Sequence, residues 1–375
     1  MRVVFCLPGF DKDVIRLQPW VTVYEVSQRF VKMGHAVDII TDRPGNGRIS
    51  SIAIHTVKTL RGHNSDEMEA LLESIRPDII IVSVTPLSLV SSRWYSSAGR
   101  YRVFAYISYP FYTALETLKA FPYLTRADRL SYGRQLLVPG SLWGHRLKAF
   151  FEGIICQSER TKTRLTCLTG GSTRIHAIPP GIDSDWISMR SGAEKRETRF
   201  LYVGSPLAIR GFFFTLEALR KVTEKGVRLK ILARGADPCA VRNIKTLADS
   251  MGLGKIVSVQ GGWLGKKELQ SEMTDASVIL MPFALVPSEL PVSVLEAICC
   301  ETPLIVSDID GLPEAVGECG IAVRQCSVDE LARAMARICS ENGLDKKLRE
   351  ACRKRKSSIK TWEEVSAQWA STFGM

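Results

Sequence analysis

The sequence predicts an α/β protein made of two doubly wound, Rossmann-like domains facing a central cleft. Three observations predict it. The chain has 375 residues, 45% of them hydrophobic, which is ample for two cores at roughly 150 residues per domain. Short β-branched runs alternate with helical patterns, as in a parallel sheet covered on both faces. That alternation stops at a polar stretch, DSDWISMRSGAEKRET (183–198), and then starts again.

Taken in order, RVVFCL (2–7) reads as a buried strand. PWVTVYEVSQRFVKMG (19–34) reads as an amphipathic helix closed by Gly34. AVDIITD (36–42), DIIIVSV (78–84), YRVFAYIS (101–108) and GIICQS (153–158) continue the first series of strands. The stretch 183–198 is taken as the linker. RFLYVG (199–204) opens the second series and FFFTLEALRKVTEKG (212–226) is its helix. VRLKILARG (227–235), KIVSVQGG (255–262), ASVILMPF (276–283) and PLIVSD (303–308) are its further strands. One last helix is expected from about Leu344, with Trp362, Val365 and Trp369 on its apolar face. The expected division is 1–185, 186–352 and a final helical segment 353–375. Ligands of such sheets sit at the carboxyl ends of the strands.

The net charge is +11, and residues 100–174 hold 12 Lys/Arg against 4 Asp/Glu. Residues 94–151 also hold 14 of the 30 aromatic residues. That combination suits an anionic membrane surface or an anionic, partly apolar ligand. The plainer reading is a solvated basic face over an aromatic core, and the KRK cluster (354–356) reads the same way. No nucleic-acid motif accompanies the charge, so no nucleic-acid partner is expected.

The ten cysteines show no C-x-x-C and no zinc spacing with histidine. They read as buried free thiols of a reducing compartment. His35 in a turn and His176 in a strand read as structural. Asp308-Ile309-Asp310 spells D-x-D but closes a strand, and no metal is expected. MRVVFCLPGF lacks a signal-peptide pattern, and no apolar run reaches the ~18 residues of a membrane span. The expectation is a cytoplasmic protein, soluble or held at the inner face of a membrane. No G-x-G-x-x-G follows the first strand, which argues against a dehydrogenase.

PSELPVSVLEAICCETPLIV (287–306) carries two carboxylates, Glu289 and Glu296, in an apolar run. Buried and unpaired, each would cost several kcal/mol, about what isolated buried charges cost. Pro291 favours a helix start. The N–H groups of Val292, Ser293 and Val294 would then attract phosphate, while the carboxylates would accept hydrogen bonds from sugar hydroxyls. A nucleotide-sugar has both kinds of group. The competing reading is an internally paired Glu296 with a solvated Glu289.

The same segment resembles the donor signature of the GT4 family of retaining glycosyltransferases, which have the GT-B fold. SERTKTRL (158–165), IPPGID (178–183), LYVGSPLAIRG (201–211), VQGGWLGKKELQSEMTDASVILMPF (259–283), TPLIVSDIDGLPEAV (302–316) and TWEEVSAQW follow in family order. The resemblance implies a C-terminal helix crossing back to the N-terminal domain. It implies a metal-independent, cofactor-free enzyme of hexosyltransferase type, with a nucleotide-sugar as donor substrate and a carbohydrate or lipid-linked acceptor. Glu296 would hold the ribose diol and Glu289 the transferred sugar. Arg210, after the loop from Gly204 and Ser205, would hold the diphosphate and act with Glu289 in catalysis. Gly9 would admit the diphosphate from the other domain. Ser288, Pro291, Val292, Ser293 and Val294 complete the implied donor site.

The sequence also departs from the family. The carboxylates are seven apart rather than eight, so that Ser288 competes with Glu289 for the first position. Ser205 stands where the family has Arg, with Arg234 as a substitute; SYPFY (108–112) lacks the usual His; Glu301 replaces a usual Gly. These departures admit a non-catalytic nucleotide-sugar-binding partner subunit as the rival reading, and a GT-B sugar-nucleotide epimerase as another.

Overall fold

The computed structural model describes the chain except residues 46, 59, 61–65, 92–97, 189–197, 223–225 and 287. Most of the expected linker therefore lies outside the described residues. Its start forms a short helix, Ser184–Ile187, whose Trp186 is buried in the second core.

The first sheet contains β1 (Arg2–Cys6), β2 (Ala36–Thr41), β3 (Gly47–Ile49), β4 (Ile52–Thr56), β5 (Ile79–Ser83), β6 (Arg102–Tyr106), β7 (Gly153–Cys156) and β8 (Arg174–Ala177). Their order is β3-β4-β2-β1-β5-β6-β7-β8, parallel except for the β3–β4 pair. The second sheet contains β9 (Arg199–Gly204), β10 (Arg228–Arg234), β11 (Val257–Gly262), β12 (Val278–Met281), β13 (Leu304–Ser307) and β14 (Gly320–Val323). Their order is β11-β10-β9-β12-β13-β14, and every pair is parallel. In each sheet the first strand has neighbours on both sides that wind in opposite directions. Such switch points open crevices at the strand ends. The central strands are continuous apolar runs because helices cover both faces. β3, β4 and β14 were not foreseen: they are three to five residues long and half-exposed.

The expected single last helix is two helices, Leu344–Lys356 and Trp362–Phe373. Thr361 starts the second with a capping box closed by Glu364. At the break the chain returns beside its earlier crossing, and Ile182 pairs with Thr361. Gly181 permits this, since a Cβ there would stand 2.8 Å from the Trp362 backbone. The final helix then docks on the first sheet. Trp362, Val365, Trp369 and Phe373 join Phe5, Phe30, Phe104 and Tyr106 in one core. Trp369 meets Tyr106 at 5.0 Å and Phe373 meets Phe104 at 4.8 Å between ring centroids.

A second tie runs the other way. The long connection between β6 and β7 includes the helices Ala114–Ala120 and Arg126–Leu136. Its Tyr112, Ala120, Leu124 and Tyr132 are buried in the core of the second sheet, with Phe214 and Leu216. Tyr123 meets Phe214 edge-on at 4.7 Å. Much of the aromatic enrichment is thus core and interdomain packing, although Trp94 and Tyr95 lie outside the described residues.

The KRK reading needs correction at Lys356, which is buried and faces Glu301 at 3.6 Å. Glu301 itself has φ 54°, a conformation that favours glycine. Arg353 and Lys356 hold its carboxylate at 3.1 and 3.6 Å, which offsets that strain. All ten cysteines are free; six are buried, while Cys167 and Cys239 are exposed.

Candidate active site

A cavity of ≈ 930 Å³ lies between the two sheets at the carboxyl ends of their strands. The N-terminal side supplies Trp20, Tyr24, Glu25, Ser83, Ser108 and Tyr109. The C-terminal side supplies Ser205, Arg210, Arg234, Trp263, Ser288, Pro291, Val292, Ser293 and Glu296.

Arg210 ends a 3₁₀ turn, Ala208–Arg210, that follows β9. The turn enters the next helix through Gly211, at φ 73°. A Cβ at Gly211 would meet the Pro282 carbonyl oxygen at 1.8 Å, so only glycine fits. Arg210 packs over the Phe283 ring at 5.8 Å from its centroid. Burial lowers its pKa, Tyr202 counters this in part, and the positive charge of Arg234 lowers it further; among the described residues no carboxylate is paired with it. Arg234 reaches Glu296 at 3.4 Å. The result is a positive wall with one carboxylate at its edge.

The helix Val292–Cys299 begins at Pro291, as the sequence predicts, and Pro291, Val292, Ser293 and Glu296 face the cavity. Val294 does not: its amide bonds to the Pro291 carbonyl at 3.0 Å and its side chain is in the core. Ser205 faces the cavity, and its hydroxyl donates to the Arg234 carbonyl at 3.2 Å. Gly204 lies behind it, buried beside Arg210. Gly9 is a further correction. It is buried and its amide donates to Asp42 at 2.6 Å, leaving Pro8 to face the cavity.

The largest correction concerns Glu289. It is fully buried and turned away from the cavity. One carboxylate oxygen accepts the Gln157 amide at 2.7 Å and the other the Ser158 hydroxyl at 2.5 Å. Burial pushes its pKa up to about 8. Ser288, eight residues before Glu296, faces the cavity in its stead. The D-x-D carboxylates are turned toward arginines, Asp308 to Arg160 at 2.9 Å and Asp310 toward Arg164 at 3.9 Å. Among the described residues no group of three or more His, Cys, Asp or Glu could hold a metal ion.

The N-terminal lining named above was missed, Glu25 included, and so was Trp263 on the C-terminal side. Trp263 is half-exposed just after β11, its indole 3.6 Å from where a Gly235 Cβ would be. A large aromatic directly after Gly261-Gly262 at a strand end was the available signal. Glu25 is held by Arg29, and burial raises its pKa. Nothing in the local pattern marked it, since a carboxylate four residues before an arginine is ordinary on a helix.

Residues 20–186 match the family model described as Glycosyltransferase Family 4, and residues 197–341 match the model described as Glycosyl transferases group 1. The two matches together cover most of the chain. The chain belongs to the GT4 family. This GT4 chain is 26% identical over 214 residues to the MMP alpha-(1->4)-mannosyltransferase of Mycolicibacterium hassiacum, covering 56% of this chain and 50% of that one. It is 26% identical over 229 residues to the 2-deoxystreptamine glucosyltransferase of Streptomyces kanamyceticus, covering 57% of each. The chain thus spans about half the length of the curated relatives it matches.

Among solved structures, the GT4 chain is similar to sucrose-phosphate synthase of Thermosynechococcus elongatus, with a TM-score of 0.73 at 17% identity over 99% of this chain and 98% of the other. HepE of Anabaena in complex with UDP gives 0.71 at 12% identity over 100% of both chains. WaaG, a glycosyltransferase of lipopolysaccharide biosynthesis, gives 0.66 at 15% over 99% of both. These likenesses establish the fold, which is GT-B.

Proposed function

We propose that the protein is a retaining, metal-independent glycosyltransferase that moves a sugar from a nucleotide-sugar to a carbohydrate acceptor. The observation that carries this is the positive wall of Arg210 and Arg234, set beside a helix start and closed by Glu296. It matches a diphosphate flanked by hydroxyl-bearing rings. HepE, which shares the fold, has been solved with UDP-glucose. In the proposed reaction the bond from the anomeric carbon to the phosphate oxygen breaks and the diphosphate leaves with the electron pair. Arg210 and the helix start stabilise that charge. The acceptor oxygen bonds to the same face of the sugar, and its proton passes to the departing phosphate oxygen. Glu289 faces away from the cavity and in this reading takes no part in the chemistry.

Thermal stability measured against UDP-, GDP- and ADP-sugars tests the donor. The donor that stabilises the protein should also be hydrolysed slowly. Glu296→Ala is expected to weaken that donor's binding by about 10–100-fold, the loss of hydrogen bonds to a charged group, as read by calorimetry. Unchanged affinity would remove Glu296 from the site.

The N-terminal side joins aromatic faces (Trp20, Tyr24, Tyr109) to the hydroxyls of Ser83, Thr85 and Ser88. Such a surface suits a sugar ring, apolar on one face and polar at its edge. A lipid-linked acceptor at an anionic membrane on the cytoplasmic side is supported by a surface on the β6–β7 connection. Leu115, Leu118, Leu130 and Leu137 are exposed there at 63, 55, 59 and 82%. Lys119, Arg126, Arg129 and Arg134 stand among them, also exposed. Among the described residues no helix is long and apolar enough to cross a membrane. The protein is expected to co-sediment with vesicles containing anionic lipid and not with neutral ones; equal binding to both would remove the electrostatic part.

One observation favours a second reading. Ser288 puts a hydroxyl where the family has a carboxylate, as suits a nucleotide-sugar-binding partner subunit. Donor hydrolysis that disappears in Glu296→Ala and Arg210→Ala would decide for the enzyme.

A further inference from the structure

The loop between β12 and the helix Val292–Cys299 takes most of its hydrogen bonds from the other domain. Val286 donates its amide to the Tyr112 hydroxyl at 2.6 Å, and that hydroxyl donates back to the Val286 carbonyl at 2.9 Å. The Glu289 amide donates to the Ser108 carbonyl at 2.7 Å. The Leu290 amide donates to the Gln157 side chain at 2.9 Å. The Glu289 carboxylate completes the set through Gln157 and Ser158. Ser158 is also the N-cap of the helix Glu159–Thr169, and its hydroxyl accepts the Thr161 amide at 3.1 Å.

We infer that Glu289 is a positioning residue: it fastens this loop to the N-terminal domain and so presets Ser288, Pro291 and the start of the ligand-facing helix. Binding to a loop already ordered spares the ligand the cost of ordering it. The consequence for the ligand rests on the nucleotide-sugar reading of the cavity; the fastening does not.

The groups facing Glu289 include Asp310 on the loop after β13, Tyr106 on β6 and Cys156 on β7. Arg160, on the adjoining helix, points to Asp308 and Asp310. Burial first, and the Asp310 charge in addition, raise the Glu289 pKa above its ordinary value, to about 8. A carboxyl group raised in the folded state contributes stability that is fully present below its unfolded pKa, about 4.3, and lost as pH rises through the folded value. While protonated, Glu289 can donate to Ser158 and still accept from Gln157. The fastening therefore loosens toward alkaline pH.

Hydrogen exchange of the ligand-free protein tests this at residues 284–291 and 157–161. Glu289→Ala is expected to speed exchange in both segments by about tenfold, one lost hydrogen-bonded contact, with β9 and β13 unchanged. Glu289→Gln should keep the protection, since an amide accepts from Gln157 and donates to Ser158, and should abolish the pH dependence. Wild-type protection, corrected for intrinsic exchange, should fall as pH rises from about 4.3 to about 8 and level off above that. Unchanged exchange in Glu289→Ala, loosening spread evenly over the domain, or a pH-independent wild type would overturn the inference. If Glu289→Ala does not fold, Glu289→Gln and the wild-type pH series decide alone. Calorimetry with UDP and GDP is the ligand arm. The nucleotide bound by wild type should bind about tenfold more weakly to Glu289→Ala and near-normally to Glu289→Gln. If wild type binds neither of these nor ADP, the nucleotide-sugar reading fails and the exchange result still decides the fastening.

Discussion

Arg210→Ala is expected to lower donor turnover by about 10²–10³-fold, the usual loss when one preorganised stabiliser of a developing anion is removed. Three features make this the largest effect on activity. Arg210 is largely withdrawn from water, where its charge acts at low dielectric. Among the described residues no carboxylate is paired with it, so its charge is left to the cavity. Its side chain is held between Phe283 and the bare backbone of Gly204, so it needs little reorganisation. Arg234 stands at the same wall but divides its charge with Glu296 at 3.4 Å, and should recover only part of the loss. Arg210→Lys should restore less than the charge alone suggests, because an ammonium group lacks the planar fork that matches phosphate. Single-turnover donor cleavage measures both variants; turnover within threefold of wild type in Arg210→Ala would place the leaving group elsewhere.

Trp369→Ala is expected to destabilise the protein by about 3–5 kcal/mol, the range for truncating a large buried aromatic. Trp369 has no exposed surface and sits between Phe5, Tyr106 and Phe373. The last helix has only 12 residues, and in isolation would be marginal. Its attachment to the first sheet depends on the apolar face that Trp369 centres. Denaturant unfolding followed by tryptophan fluorescence measures the loss. The midpoint should fall, and an early phase should report release of residues 362–373 from the β1 side. A loss under 1 kcal/mol would show that the helix is held by something other than this face.

The architecture was legible because the central strands are doubly covered. RFLYVG and IIIVS are apolar on both faces, and such runs announce a parallel sheet without any partner being known. β3 escaped because the edge strand GRI is three residues long and polar at its centre, and β14 because GIAV, though apolar, is only four residues long. The break at residues 357–361 escaped because RKRKSS contains no proline or glycine, and only the Thr361–Glu364 box marks the restart. In the site, the helix start at Pro291 foretold that Pro291, Val292, Ser293 and Glu296 would lie together, and the family resemblance pointed to Ser205 and Arg210; all six line the cavity. The place of Glu289 was not readable. Its carboxylate is satisfied by Gln157 and Ser158, more than a hundred residues away, and a local pattern does not report a partner on another sheet. Gly9 and Val294 failed for a related reason, since their amides are already engaged, by Asp42 and by Pro291.

The β6–β7 connection, seated in the core of the opposite sheet, bears on how the molecule can be divided. A cut between the two halves would leave Tyr112, Leu124 and Tyr132 as bare grease on one piece, and an unfilled hollow beside Phe214 on the other. Each half keeps one core of its own, but the second core on each side is completed by residues from the other part of the chain. The polar stretch that separates them in the sequence is a seam in the writing of the chain, and the folded body has no matching plane along which it comes apart.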